Sequence, residues 1–329
     1  MEARFRKNTQ YHRQVHLFSK KLLCDFQKSS NNFFKFNLFS VCIFFIELLL
    51  AIYLIQYYSD TSVIALFIAL FSLTLFSYLI LFFYFYAKKP DQFEGLKDRF
   101  LRSCRSCLSP PQGQIEHHLS ICSAISFLVD DLKSLPKSKS VKKLSRHFSE
   151  EDIFLLKEML FISSKEELLK QIRHTPTDIE IHSALANTYV KLSSLYKEQK
   201  EKCLFWGNRK RQKKKILGIK FTTAIQRAIE EFQILNDLSP NDPWVHAQLA
   251  KSYKELGMLQ KEMIEYENIL KLRPSDLEIL FECALCYFKL GYSAKGLQAY
   301  ETLKKAHFIR SDDLLNFYGT ENLKIEDDL

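Results

Sequence analysis

The sequence predicts an all-α protein: an N-terminal two-helix transmembrane hairpin, then a helical-repeat solenoid of about three units with capping helices. Three observations carry this expectation. Residues 37–58 and 62–87 form two apolar runs in which Glu47 is the one charge. Small and aromatic residues recur at a spacing of 34 in the C-terminal third. Finally, 8 Gly and 8 Pro in 329 residues, with long Leu-, Lys- and Glu-rich stretches at helical spacing, leave little room for sheets or disorder.

The first segment, residues 1–36, is basic, with Arg4, Arg6, Lys7, Arg13, Lys20, Lys21, Lys28 and Lys35 against Glu2 and Asp25. A secretory signal would start closer to the N-terminus and would lack a second apolar run behind it. Each run is long enough for a helix to cross about 30 Å of hydrocarbon, which takes roughly 20 residues. Tyr53, Tyr57 and Tyr58 at one end and Tyr84, Phe85 and Tyr86 at the other suit the bilayer interface. Ser59, Asp60, Thr61 and Ser62 leave room only for a turn, so the spans are antiparallel and both chain ends share one side. That side is expected to be the cytoplasm. Lys88, Lys89, Lys97, Arg99, Arg102 and Arg105 follow the second span, and the turn has no Lys or Arg. An ionised Glu47 in mid-span costs about 2.5–3.5 kcal/mol. It is therefore expected to be neutral and bonded to Ser72 or Thr74, or matched by another span.

The 47% hydrophobic content and the mean hydropathy of −0.15 average an oily hairpin with a polar remainder. That remainder divides into a juxtamembrane helical or linker region, 88–148, and a repeat domain, 149–329, with a basic insert at 200–220. The formal charge of +9 is concentrated beside the bilayer and in the insert. A Lys or Arg near an anionic leaflet gains about 1 kcal/mol, so this excess fits membrane attachment without invoking nucleic acid.

Within the repeat domain, Leu249, Ala250, Tyr253, Gly257, Tyr266 and Pro274 are followed at a spacing of 34 by Cys283, Ala284, Tyr287, Gly291, Tyr300 and Phe308. The pattern resembles the tetratricopeptide-repeat (TPR) family, whose unit is two antiparallel helices, A and B, with a small residue where they cross and aromatics between them. The resemblance implies that Ala250 and Ala284 are the crossing residues. It also implies that Tyr253 and Tyr287 pack from helix A, and Tyr266 and Tyr300 from helix B. An earlier copy, Leu185, Ala186 and Tyr189 with Ala228, Phe232, Leu235 and Pro240, is interrupted by an insert: Tyr189 to Phe232 is a spacing of 43, where Tyr253 to Tyr266 is 13. The interruption is expected to lengthen its first helix until Gly207 breaks it. The last copy has Gly296 where the family has Ala and Phe308 where it has Pro, which predicts a looser second helix. A helix pair N-capped at Ser149 is expected to close one end of the array, and the tail from Ser311 the other.

In the TPR family, helix A residues line a concave groove that takes an extended peptide or a helix. The matching positions here are Asn187, Trp244, Gln248, Lys251, Glu278, Phe281 and Glu282, with Ser183, Val190, Ala247, Lys254 and Leu285 beside them. Members that grip a chaperone's C-terminal carboxylate use Lys and Arg where this chain has Glu278 and Glu282, and anions there repel a carboxylate. The implied partner is a protein or peptide with a basic or apolar segment, anchored by Trp244 and Phe281. Trp244 alternatively packs the repeat junction.

Arg209, Lys210, Arg211, Lys213, Lys214 and Lys215 form a cationic run whose one neighbouring aromatic is Trp206. The run suits anionic lipid, an acidic partner or a solvated loop better than nucleic acid. Cys283 and Cys286 are expected to fill core positions. Cys104 and Cys107, followed by His117, His118 and Cys122, are the one cluster with metal-ligand spacing. Zinc, acylation of Cys104 or Cys107, and plain reduced thiols all stand open for it. No phosphate-binding Gly loop, HExxH or GxSxG occurs, so no catalytic residue is assigned and no cofactor is required. The expected role is a membrane-anchored scaffold or adaptor. The charge-flanked hairpin also resembles the chlamydial inclusion-membrane proteins, which implies a secretion-linked protein acting at a host interface. Binding of anionic lipid or nucleic acid through the insert is the third alternative.

Overall fold

The computed structural model describes residues 2–57, 61–108, 114–134, 144–202 and 208–327, and all regular structure among them is α-helical. The chain divides into two compact units, Met1–Ser164 and Lys165–Leu329.

The first unit opens with α1 (Glu2–Tyr57) and α2 (Thr61–Ser106). Their contacts descend one helix while climbing the other, from Glu47 with Thr74, through Phe36 with Phe85, to Phe26 with Phe93. The pair is therefore antiparallel, as the short turn requires; residues 58–60 of that turn lie outside the described residues. Both helices continue far beyond the apolar runs. Two helices are long and apolar enough to cross a membrane, and almost none of their apolar stretch is buried by the chain itself. Phe39, Leu66, Phe76 and Phe83 each stay more than half exposed there. Thr74 Oγ1 lies 2.9 Å from Glu47 Oε2 and 3.0 Å from the Phe71 carbonyl. Ser72, the other expected partner, donates to the Ile68 carbonyl instead.

Past the apolar runs α3 (Ile115–Ser134) joins the pair and the packing changes character. Phe26, Phe93, Ile121, Ile125 and Leu128 are fully buried, each contributing about 1.5–3 kcal/mol. The Tyr11 hydroxyl donates to the Ser120 carbonyl at 3.2 Å and Ser19 Oγ to Asp131 Oδ2 at 2.5 Å. The helix α4 (Leu144–Ile172) supplies Asp152, which is paired with Lys89 at 2.6 Å and accepts from Ser30 Oγ at 3.1 Å. Burial pushes the Asp152 carboxyl up, and Lys89 offsets part of that rise. The expected helix pair starting at Ser149 is thus one uninterrupted helix of 29 residues. Ser149 falls inside it, because no Gly or Pro breaks the stretch.

In the second unit α5 (Ile179–Lys202) and α6 (Asn208–Leu238) form the interrupted copy. The regular copies are α7 (Pro243–Glu255) with α8 (Leu259–Leu272) and α9 (Leu277–Lys289) with α10 (Ser293–Lys305), and α11 (Ser311–Asp327) closes the array. The period is written in the caps. Asp242 accepts from the Trp244 N–H at 2.9 Å and Asp276 from the Ile279 N–H at 3.3 Å, each satisfying an orphan donor of a first turn. Gly257 and Gly291 take φ of 70° and 78° between helices A and B. The following N–H groups bond back to the Tyr253 and Tyr287 carbonyls at 3.0 and 2.8 Å, a helix stop that favours glycine. Ala186, Ala228, Ala250 and Ala284 are fully buried, the place expected for crossing residues. Cys283 and Cys286 are buried in the core between the copies, and burial pushes their thiols up to about 11 and about 12.

Two expectations about this unit change. The insert lengthens both helices rather than one, to 24 residues in α5 and 31 in α6 against 13 and 14 in α7 and α8. Trp206 and Gly207 lie outside the described residues. Gly296 does not loosen the last copy; it lets α9 and α10 close up. A Cβ at that position would stand 2.5 Å from Cε1 of Phe288, so the missing side chain makes room for the ring. Phe308, half-buried, then packs on Phe281 with ring centroids 5.8 Å apart.

Candidate functional site

The first helices of the repeats carry a stripe in register. Trp244, Gln248, Lys251 and Glu255 on α7 recur one full period later as Glu278, Glu282, Leu285 and Lys289 on α9. The steps of four, three and four along the chain keep each set on one helix face. Trp244, Lys251, Glu255, Glu278 and Lys289 are exposed, and Gln248, Glu282 and Leu285 are half-buried. Asn187 on α5 is half-buried as well.

Ion pairs join neighbouring first helices along this stripe. Lys254 Nζ reaches Glu282 Oε2 at 2.6 Å, and Lys197 Nζ reaches Glu255 Oε2 at 2.6 Å. Burial alone would lower the Lys254 pKa, but the Glu282 hydrogen bond and the charges of Glu282 and Glu262 outweigh it and raise it. Glu262 is itself buried, which pushes its carboxyl up, and Lys254 holds it partly back. Partly exposed pairs of this kind contribute at most about 1 kcal/mol. Their larger effect is to neutralise Glu282, which the sequence offered as a free anion. Beside these pairs Trp244, Lys251 and Glu278 stay exposed and Leu285 half-buried.

Trp244 packs the repeat junction, its indole meeting Phe232 edge-on at 5.9 Å and 76°, and 40% of the residue stays exposed. Phe281 is a correction. It is 1% exposed, packed with Leu314 of α11, and the Arg310 guanidinium lies 4.3 Å over its ring. Its counterpart one repeat earlier is Ala247, so the extra bulk of Phe fills the junction with the closing helix and is no groove anchor.

The cationic run is helical, not a loop, from Asn208 onward. Arg211 and Lys215 are exposed and Lys213 and Lys214 half-buried; the side chains of Arg209 and Lys210 lie outside the described residues. In the first unit, Cys104 is buried on α2 and burial pushes its thiol up to about 12. A buried, protonated thiol is a poor substrate for acylation and a poor metal ligand. Cys107 is half-buried, His117 is buried on α3, and Cys122 donates weakly from Sγ to the Ser164 carbonyl at 3.7 Å. Among the described residues no three His, Cys, Asp or Glu side chains converge as a metal site would need.

One constellation escaped the sequence reading. His182 on α5 and His246 on α7 each bridge their repeat: Nδ1 meets Glu231 or Glu265 at 2.6 Å, and Nε2 meets the carbonyl of Pro176 or Pro240 at 2.8 or 3.1 Å. The signal was present, as a Pro-x5-His spacing occurs in both copies and the two Glu stand one period apart. Burial alone would lower the His182 pKa; the Glu231 and Pro176 hydrogen bonds and the Glu231 charge outweigh it and raise it. A raised folded pKa contributes stability that is full below the unfolded value of about 6.5 and is lost as pH rises through the folded value. Replacing His182 by Gln is therefore expected to flatten the decline in melting temperature above about pH 6.5. Melts of both proteins across that window check this, and parallel curves would refute it.

No protein-family model matches the chain, and no curated protein matches it significantly. Among solved structures it is similar to MamA, at 15% identity over 61% of this chain and 94% of that one, with a TM-score of 0.32. A TPR protein of Thermus thermophilus is similar at 18% identity over 64% and 92%, with a TM-score of 0.31. The TPR2AB domain of yeast Sti1, in complex with pHSP90, follows at 11% identity over 71% and 93%, with a TM-score of 0.25.

Proposed function

We propose that the chain is a membrane-anchored helical-repeat scaffold. The α1–α2 hairpin holds it in the bilayer, and the first helices of the repeats bind a segment of another protein. The observation carrying this reading is the in-register stripe from Trp244 to Glu255 and from Glu278 to Lys289, which keeps exposed residues on two successive repeats. The exposed apolar lengths of α1 and α2 support the anchor. The cations flanking both spans support a repeat unit on the cytoplasmic side. Because Glu282 and Glu255 are already paired, the partner segment is apolar with a cation for Glu278, and Trp244 and Leu285 receive its apolar side chains. Such binding needs no catalysis and no cofactor.

A photoreactive residue in place of Leu285, introduced in the full chain in its native cell, is expected to cross-link a discrete protein. Lys251→Glu combined with Glu278→Lys is expected to weaken that capture about tenfold, roughly 1.4 kcal/mol, while the protein stays in the membrane fraction. Unchanged capture by the double variant would eliminate the stripe as the binding surface.

A further inference from the structure

Where the apolar runs of α1 and α2 end, the two helices enclose a cleft of about 850 Å³. Its span-side end is aromatic, with the Phe36 and Phe85 rings 5.0 Å apart and Phe33 in the same lining. The rest of the lining is strongly cationic: Lys28 from α1 and Lys89, Arg99 and Arg102 from α2, against the carboxylate of Asp25. Lys89 is fixed by Asp152 at 2.6 Å and lies 4.6 Å over the Phe33 ring. Arg99 and Arg102 each commit only Nε, to the Gly95 and Asp98 carbonyls at 3.3 Å. Their terminal nitrogens remain for an external acceptor. Helical side chains lean toward their helix N-terminus, and α2 leaves the apolar run heading outward, so both guanidinium groups are drawn back toward the span. Ser29 donates to Gln92 Oε1 at 2.8 Å, leaving the Gln92 amide hydrogens to donate elsewhere.

We infer that this cleft binds the headgroup of an anionic phospholipid, with its phosphate between Lys28 and Arg99, Arg102 beyond it and Lys89 on the span side, and its acyl chains running back against Phe36 and Phe85. Three features select this occupant. The cations line the cleft outward from Lys89, two residues beyond the apolar run of α2, on the side where a phosphate layer lies. The aromatic end is continuous with the exposed apolar surface of both helices, which a soluble anion would not use. Asp25, Asn32 and Gln92 supply hydrogen-bonding groups for a hydroxylated headgroup such as glycerol. The site is separate from the cationic run on α6 and from the repeat stripe. It rests on the anchoring reading of α1 and α2.

The test uses the full chain in nanodiscs of phosphatidylcholine with one-tenth phosphatidylglycerol, and native mass spectrometry to count the lipids retained. Phosphatidylglycerol is expected to be enriched at least tenfold over its share. Arg99→Gln with Arg102→Gln should remove that enrichment. So should Gly95→Trp, which puts bulk into the cleft without changing its charge from a position where an added Cβ meets nothing within 4 Å. Arg13→Gln with Lys20→Gln, which removes two exposed cations outside the cleft lining, should leave retention intact. Equal retention of both lipids would overturn the inference, as would enrichment that survives Gly95→Trp or falls equally in the Arg13/Lys20 control. Binding of free glycerol phosphate as tight as that of the lipid would mean a soluble-anion site and would also overturn it. Extraction of native membranes at alkaline pH separates the two readings. A released chain removes the anchor itself, whereas a retained chain with no enrichment removes only the lipid site.

Discussion

Truncating Phe281 to Ala is expected to cost about 3–5 kcal/mol of stability, the range for deleting a fully buried aromatic side chain. The loss has two parts, the transfer free energy of the ring and the cavity left between α9 and α11, which Phe308 and Leu314 would only partly refill. Repeat arrays are held by nearest-neighbour contacts, so the damage should appear first as fraying of α10 and α11. Protease sensitivity after Arg310 and the thermal midpoint by circular dichroism, both on the full chain, report it. Phe281→Leu, which keeps most of the apolar volume, should recover more than half of the loss. A variant that kept its midpoint and lost only partner capture would restore Phe281 as a groove anchor and refute its assignment to the core.

Gly296→Val is expected to destabilise the last repeat by about 1–3 kcal/mol through overpacking. The Cβ would meet Cε1 of Phe288 at 2.5 Å and Cδ1 and Cζ at 2.8 Å. The ring has no easy retreat, since Phe288 is buried and packs on Tyr318 at a centroid distance of 5.1 Å. Gly296→Ala sets two effects against each other, a helix-interior gain of about 0.5–1 kcal/mol and the contact with the ring. At 2.5 Å the contact wins and the sign is destabilising. Gly319, also helical and with nothing within 4 Å of an added Cβ, provides the opposite case: Gly319→Ala should raise the midpoint. Adding Phe288→Leu to Gly296→Ala should return part of the lost stability, a coupling that a double-mutant cycle measures directly. A stabilised Gly296→Ala would show that the last copy is loose, as the sequence suggested.

Much of the architecture was legible before any coordinates. Ala250 and Ala284, one period apart, are both fully buried, and Asp242 and Asp276 cap helices at the same interval. Glu47 and Thr74 meet across the hairpin because two antiparallel helices with a short turn leave few other partners. The site was less legible. Asn187, Trp244, Gln248, Lys251 and Glu278 are exposed or half-buried on first helices, whereas Glu282 is tied to Lys254 and Phe281 is buried. The histidine bridges went unread because Glu231 lies far along the chain from His182, beyond the insert.

By itself the sequence determined the all-α class, the repeat period and the length of each apolar run. These follow from the order of residues along one helix, where side chains three and four apart share a face. Only the tertiary structure decided which members of a face stay available. Phe281 and Trp244 both lie on first helices, and a closing helix covers one while the other keeps an open side. Gly296 reads as a weak helix former until Phe288 stands opposite it. The cationic cleft arises only when α1 and α2 bring Lys28 and Arg99 into one lining. In each case the physical reason is the same: burial and pairing depend on what a second helix presents across a few ångströms, and that distance is set by packing between segments far apart in the chain.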